Sequence, residues 1–116
     1  QLQPATRVKE IIWQTREASK APPLLSDPRL DELARVAAKA MLAAEDPSNE
    51  NLSKQGLVAG RTISASDVII ATAPSDVSKS KNLRDARFKR VGVGVAIGDS
   101  ARYGKGRLWI AVLYTD

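Results

Sequence analysis

An amphipathic helix is predicted over residues 5–20, because apolar side chains recur there at the three- to four-residue spacing of a helix. The positions that form this stripe are Val8, Ile11, Ile12, Thr15 and Ala18. Pro22 and Pro23 follow, and a proline disfavours helical geometry in the residue before it. We therefore expect the helix to end before this pair.

A second helix is predicted to begin at Asp27-Pro28. An aspartate accepts hydrogen bonds from the free amides of a first helical turn, and a proline suits the first helical position. The apolar stripe that follows has the i, i+3, i+4, i+7 pattern and is rich in alanine: Leu30, Leu33, Ala34, Ala37, Ala40 and Met41. We expect this helix to lie close to a neighbouring layer and to end at Asp46–Asn49.

The last third of the chain alternates with a period of two, which is typical of strands. Between residues 91 and 98, branched side chains alternate with glycine or alanine. Repeated glycine weakens a strand, so we expect another element to pack tightly on the bare face. Residues 108–115 are apolar on both faces, which predicts a central strand covered on both sides. The two strands are expected to pair as an antiparallel hairpin.

Two weaker elements precede this hairpin: a short strand at Val68–Ala71 and a short helix from Asp76 to about Leu83. Helices followed by a sheet that is covered on both faces predict an α+β fold. We expect a three-layer α-β-α sandwich with a central, mainly antiparallel sheet, in one domain over residues 1–116.

Charge is distributed unevenly along the chain. The net charge is +5, but residues 1–50 carry 7 basic and 8 acidic side chains whereas residues 51–116 carry 11 and 5. The excess lies in a segment that we call the basic loop, residues 79–90, with Lys79, Lys81, Arg84, Arg87, Lys89 and Arg90. Such a cluster indicates an anionic partner, although a merely solvated segment has the same composition.

Several classes of function are excluded or disfavoured by composition. The chain has no cysteine and no histidine, which excludes disulfides, thiolate chemistry and zinc sites built on those residues. No apolar run approaches the roughly 20 residues needed to span a bilayer. The aromatic residues are too few for a nucleic-acid stacking platform, so we expect no specific nucleic-acid binding.

Three stretches resemble the CAP family, the fold of cysteine-rich secretory and pathogenesis-related proteins, in its cysteine-free bacterial form. The first includes Arg16, Pro22-Pro23-Leu24 and Asp27-Pro28-Arg29-Leu30 with the alanine-rich helix after it. The second is Asn82–Ala96, which is similar to the family's Asn-Leu-Leu-Asn-Pro-x-Phe-x-x-Val-Gly-Val-Gly-x-Ala block. The third is the closing strand around Trp109.

The resemblance implies a cleft in which two histidines hold a divalent metal, with two acidic residues beside them. One histidine position falls at Lys79, and a protonated lysine has no lone pair for a metal. The other is expected near Asp46–Asn49, where no histidine stands. Asp67 or Val68 takes the place of one glutamate, and we favour the interpretation of Asp67 as a residue that ends a turn. The sequence therefore predicts no metal, no cofactor and no catalytic residue.

The leading hypothesis is a non-catalytic interaction module, secreted, periplasmic or on the cell surface as the resemblance implies, although Gln1–Arg7 lack the pattern of a secretory signal. Its candidate binding residues are Lys79, Asp67, Lys81, Arg84 and Lys89, and its expected partner is another protein or an anionic surface component. A lipid or sterol carrier is the first alternative, so a lipid ligand stays possible. A metal-independent hydrolase that uses Asp67, Lys79 and a serine such as Ser75 or Ser78 is the second.

Overall fold

The computed structural model describes residues 4–45 and 65–115 of the chain. Its elements follow one another as helix α1 (Pro4–Ala18), strand β1 (Leu25–Ser26), helix α2 (Pro28–Ala44), strand β2 (Ala65–Ala71), two 3-10 helices (Pro74–Lys79 and Lys81–Arg84), strand β3 (Arg90–Ser100) and strand β4 (Gly104–Thr115). None of the described helices is long and apolar enough to cross a membrane.

The four strands form one sheet in the order β1-β3-β4-β2. β4 lies in the interior and pairs antiparallel with β3 on one side and with β2 on the other. β1 pairs in parallel with β3 through two residues, Leu25 opposite Arg90 and Ser26 opposite Val91. The predicted hairpin and the predicted central strand are both confirmed, while β1 is too short to leave a periodic signal.

α1 buries a narrower stripe than its sequence predicts. Its buried residues are Val8, Ile12 and Arg16, whereas Ala18 is exposed. The three buried positions are four residues apart and therefore share one face of the helix. The prediction was wrong at the end of the helix because an arginine, rather than an apolar residue, occupies the buried position there.

α2 begins as predicted, since the side chain of Asp27 accepts a hydrogen bond of 2.9 Å from the backbone N–H of Arg29. The helix lies directly on the glycine face of β3. A Cβ atom built on Gly94 would lie 2.1 Å from the carbonyl carbon of Ala34, and one on Gly92 would lie 2.2 Å from that of Leu30. The alternating glycines are therefore required by backbone contact between helix and sheet.

The sheet separates two hydrophobic layers, which confirms the α+β, α-β-α sandwich. The layer under α1 and the 3-10 helices contains Val8, Ile12, Leu24, Val77, Leu83, Phe88, Val91, Val93, Ile110, Val112 and Tyr114. The layer under α2 contains Leu30, Ala34, Ala37, Ala38, Met41, Ala96, Trp109, Ala111 and Leu113. Even and odd positions of β4 thus face opposite helices, as the doubly apolar pattern of this strand indicates.

Two expectations for the middle of the chain need correction. Asp67 does not end a turn: it is the third residue of β2, opposite Val112 of β4. The single short helix expected after Asp76 is a pair of 3-10 helices that meet at Ser80. α2 ends at Ala44, and Glu45 caps it in a left-handed conformation, so the helix ends directly before the expected segment Asp46–Asn49. That segment, and with it the second histidine position, lies outside the described residues.

Candidate functional site

The carboxylate of Asp67 is the centre of a hydrogen-bonded cluster on the α1 side of the sheet. It accepts a bond of 2.5 Å from the hydroxyl of Ser80, one of 2.9 Å from the amide Nδ2 of Asn82 and one of 2.7 Å from the hydroxyl of Tyr114. Asp67 is half-buried, and both of its oxygens are used. Its negative charge is therefore spread over three donors that come from β4 and from the second 3-10 helix.

Tyr114 is a fully buried member of this cluster. Its ring stacks on Phe88 with centroids 5.3 Å apart. Burial, and then the negative charge of Asp67, raises the pKa of the Tyr114 hydroxyl well above its ordinary value. The phenol therefore stays protonated and acts as a hydrogen-bond donor to the carboxylate, not as a base.

Ser80 and Asn82 connect the cluster to the start of the basic loop. The Ser80 hydroxyl, besides donating to Asp67, accepts a bond of 3.1 Å from the backbone N–H of Asn82 and so caps the second 3-10 helix. This capping arrangement satisfies an amide that has no partner within the helix itself. Asp67 thus fixes the backbone of residues 80–82 against the sheet.

Arg16 fixes the rest of the loop through its carbonyl groups. Its side chain is 1% exposed, and its guanidinium donates to four backbone carbonyls: Pro22 (2.8 Å), Leu83 (3.2 Å), Asp85 (2.7 Å) and Phe88 (3.2 Å). Desolvation lowers the pKa of Arg16, but an arginine remains charged at physiological pH. A guanidinium carries several donors in a rigid planar fork, which suits it to join chain segments that lie far apart in sequence.

Four candidate residues lie at the surface of this anchored segment: Lys79, Lys81, Arg84 and Lys89. All four are exposed, and the Lys79 side chain is 82% exposed with its Nζ 4.0 Å from Asp76. Arg84 donates to the carbonyl of Ser80 at 3.0 Å. Of the five predicted site residues, Asp67 alone lies in the hydrogen-bonded cluster, and the other four are exposed basic residues of the loop.

Within the same loop, Asp85 and Arg87 form an ion pair of 2.7 Å. Hydrogen bonds from the side chain and backbone of Arg87 lower the pKa of Asp85 to about 2. The loop therefore keeps this carboxylate ionised across the physiological range, and the pairing offsets one positive charge of the basic surface.

Neither a group of metal ligands nor the residues of the predicted hydrolase come together in the part of the chain that the structure describes. Among residues 4–45 and 65–115 there is no group of three or more histidine, cysteine, aspartate or glutamate side chains placed to hold a metal ion. The residues that contact Asp67 are not those of the predicted hydrolase: Lys79 lies at the surface, and the Ser78 hydroxyl donates to the carbonyl of Ser75 at 2.8 Å. What the cluster can do is hold the loop in one conformation.

Sequence reasoning missed four members of this site: Ser80, Asn82, Tyr114 and Arg16. The alternation of residues 108–115 predicts Tyr114 to be a core residue. No feature of the neighbouring sequence indicates that its hydroxyl contacts Asp67, which lies 47 positions earlier in the chain. Arg16 does leave a signal, because it continues the spacing of Val8 and Ile12 along the buried stripe.

The chain matches the model of the cysteine-rich secretory protein family, CAP, over residues 10–114. No curated protein matches the chain.

Three solved structures share the fold. An extracellular protein containing an SCP domain from Bacillus anthracis aligns with a TM-score of 0.65 at 16% identity, over 97% of this chain and 40% of that one. A cysteine-rich secretory protein from Staphylococcus aureus aligns with a TM-score of 0.65 at 13% identity, over 97% and 38%. An outer surface protein from Borrelia burgdorferi aligns with a TM-score of 0.63 at 11% identity, over 97% and 92%. The chain therefore spans about 40% of the length of the first two proteins.

Proposed function

Because the chain belongs to the cysteine-rich secretory protein (CAP) family, we propose that it is a non-catalytic interaction module that acts outside the cytoplasm and binds an acidic protein surface through its basic loop. The extracytoplasmic location is supported by its relatives, which are described as an extracellular protein and as an outer surface protein. In this proposal the metal site of the family's complete members has been lost.

The observation that carries the proposal is the contrast between backbone and side chains in the basic loop. The backbone is held by the carboxylate of Asp67 at one end and by the guanidinium of Arg16 at the other. The side chains of Lys81, Arg84 and Lys89 are exposed. A surface whose backbone is already ordered loses less conformational entropy on binding than a flexible one, so anchoring favours recognition.

Loss of the metal is supported by the chemistry of the residues at the family's positions. Lys79, at the expected place of a histidine ligand, carries a positive charge that repels a cation. Asp67, which stands at the position of one of the family's acidic residues, already accepts three hydrogen bonds. A divalent ion there would have to displace those donors, and with them the anchor of the loop.

A non-catalytic role is supported by the same cluster. The hydroxyl of Ser80 donates to Asp67, and no histidine exists in the chain to activate this serine. Tyr114 is kept protonated by burial and is unsuited to act as a base. The lipid-carrier alternative stays a prediction, and none of the contacts described above favours it.

The test is charge reversal with a matched control at the opposite end of the sheet. The double variant R84E/K89E alters the basic loop, whereas R102E/K105E makes the same change of charge in and beside the β3–β4 turn. Because β3 is 11 residues long, the two surfaces are about 35 Å apart. Binding to fluorescent poly-L-glutamate, to phosphatidylglycerol vesicles and to duplex DNA is measured for both variants at several salt concentrations.

We expect R84E/K89E to weaken poly-L-glutamate binding about tenfold or more, with R102E/K105E within about threefold of the wild type. An equal loss in the two variants would show that net charge alone acts, and would overturn the proposal. Preferential binding of vesicles or DNA through the same loop would show that the partner is an anionic membrane or a nucleic acid and not an acidic protein.

A further inference from the structure

β3 lies at the edge of the sheet over most of its length. β1 covers it only at Arg90 and Val91, where the backbone N–H of Asp27 donates to the carbonyl of Val91 at 3.0 Å. The next outward-facing amide, that of Val93, donates to the Asp31 carboxylate at 2.9 Å. Beyond Val93 the strand continues to Ser100 without a neighbour on this side among residues 4–45 and 65–115.

The direction of the remaining backbone groups follows from the ladder with β4. In an antiparallel pair, the residues that bond to the neighbour alternate with residues whose N–H and C=O point away from it. Since Val91 and Val93 point away from β4, so do Val95 and Ile97. Neither residue makes an outward hydrogen bond with any part of the chain that the structure describes. This edge therefore offers two N–H groups and two C=O groups at the spacing of a β-ladder.

A groove runs along this edge between the two helices. It consists of two adjoining concavities of about 300 and 400 Å³ that share Ala5 and Val95. The floor is apolar and includes Ile97, which is 58% exposed although it is a large hydrophobic residue. The two helices supply the walls of the groove: Pro4 and Lys9 from α1, and Pro28, Asp31, Glu32, Arg35, Lys39 and Leu42 from α2.

The charged residues of the groove leave a positive surplus. Lys9 is paired with Asp31 at 2.8 Å, and Arg35 is paired with Glu32. Lys39 forms no ion pair of its own among the described residues, and its charge only helps Arg35 to lower the pKa of Glu32. An acidic chain laid along the groove would meet the ammonium group of Lys39, whereas a second copy would bring an identical one to face it.

We propose that the β3 edge is a docking site for an extended, acidic peptide segment of a partner protein, which adds to the sheet as a further strand. The peptide backbone pairs with Val95 and Ile97, and alternate side chains lie on the apolar floor, as in other cases of strand addition. Acidic side chains at the remaining positions approach Lys39. This site is independent of the basic loop, since it uses the backbone of residues 95–97 and not the side chains of residues 79–90.

The test separates the backbone from the side chain at one position. Ile97→Pro removes the outward N–H, and because this N–H takes no part in the ladder with β4, the strand is expected to persist. Ile97→Ala is the matched control, since it shortens the same side chain and keeps the N–H. The probe is a fluorescein-labelled peptide of about ten residues in which glutamate and valine alternate, followed by anisotropy, with amide hydrogen exchange of the wild type as a second measurement.

We expect Ile97→Pro to weaken peptide binding about tenfold, comparable to the loss of one good backbone hydrogen bond, and Ile97→Ala to weaken it about threefold or less. Lys39→Glu is expected to weaken binding several-fold, and replacement of glutamate by lysine in the peptide is expected to abolish it. The bound peptide is expected to slow exchange at the amides of Val95 and Ile97, and this holds as a test even if the proline variant does not fold.

Four results would overturn the inference. Peptide binding without slowed exchange at Val95 and Ile97 would place the binding site elsewhere. Equal losses of affinity in the proline and alanine variants would show that the backbone N–H of residue 97 does not contribute to binding. Absence of binding at millimolar peptide would show that Pro4 and Lys39 merely protect the edge against association. Slowed exchange that depends on protein concentration, without peptide, would assign the edge to a second copy of this chain.

Discussion

Replacing Arg16 by methionine should destabilise the protein severely, because the guanidinium joins α1 to four backbone carbonyls. Those of Leu83 and Phe88 are in buried bonds, and those of Pro22 and Asp85 in partly buried ones. Methionine fills much of the same volume, so the change removes donors with little loss of packing. The expected loss of stability therefore reflects the backbone carbonyls that are left without a hydrogen-bond donor.

The magnitude follows from the two buried acceptors. A buried polar group left without a partner costs about 1–3 kcal/mol, so two of them cost about 2–6 kcal/mol. Removing the buried charge offsets part of this loss, since its desolvation no longer opposes folding. We expect the free energy of unfolding to fall by about 3–4 kcal/mol, which in a chain of 116 residues lowers the melting temperature by about 10–15 °C.

The assay is urea unfolding followed by tryptophan fluorescence and far-UV circular dichroism, with Arg16→Lys and Arg7→Met beside Arg16→Met. A lysine keeps the charge but cannot reach several carbonyls at once, so roughly half of the loss is expected. Arg7 is 53% exposed and pairs with Glu10 on the surface, so its replacement should change stability by less than about 0.5 kcal/mol. If Arg16→Met were as mild as Arg7→Met, the account of the loop anchor would be wrong.

Three further predictions concern the sheet and the loop. Gly94→Ala should lower the free energy of unfolding in urea by about 3 kcal/mol or more, because the added Cβ atom meets the backbone of α2. The control Gly106→Ala should cost only about 1 kcal/mol, because Gly106 has a φ of 65° and open space around it, and similar values for both variants would contradict the close contact. A double-mutant cycle with Asp67→Asn and Tyr114→Phe should give a coupling energy of about 1.5–3 kcal/mol, and additive effects would remove the hydrogen bond from the account. An NMR titration should give Asp85 a pKa of about 2; since this value is depressed relative to 3.8, its contribution to stability is present above about pH 4 and lost as the pH falls toward 2, and an observed pKa near 3.8 would exclude the ion pair.

Much of the fold could be predicted because it is encoded by short-range periodicity. The alternation along β3 and β4 reports which face each side chain occupies, and repeated glycine reports the close approach of α2. The N-cap at Asp27 likewise depends on its own neighbours alone. Such features are visible in a window of a few residues.

The loop anchor could not be predicted because its partners are distant in sequence. Arg16 reaches carbonyls 67 to 72 positions further along the chain, and backbone carbonyls have no sequence signal. The local preference of aspartate for turns predicts that Asp67 ends a turn, and this prediction is wrong. Its place in β2 is set instead by the donors that β4 and the 3-10 helix supply.

The central claim, that an anchored basic loop recognises an acidic partner, is tested most directly by comparing the affinities of R84E/K89E and R102E/K105E for poly-L-glutamate at one ionic strength. The account predicts a loss of about tenfold or more for the loop variant and a change within about threefold for the control, with both proteins folded by circular dichroism. Equal affinities in the two variants would contradict it.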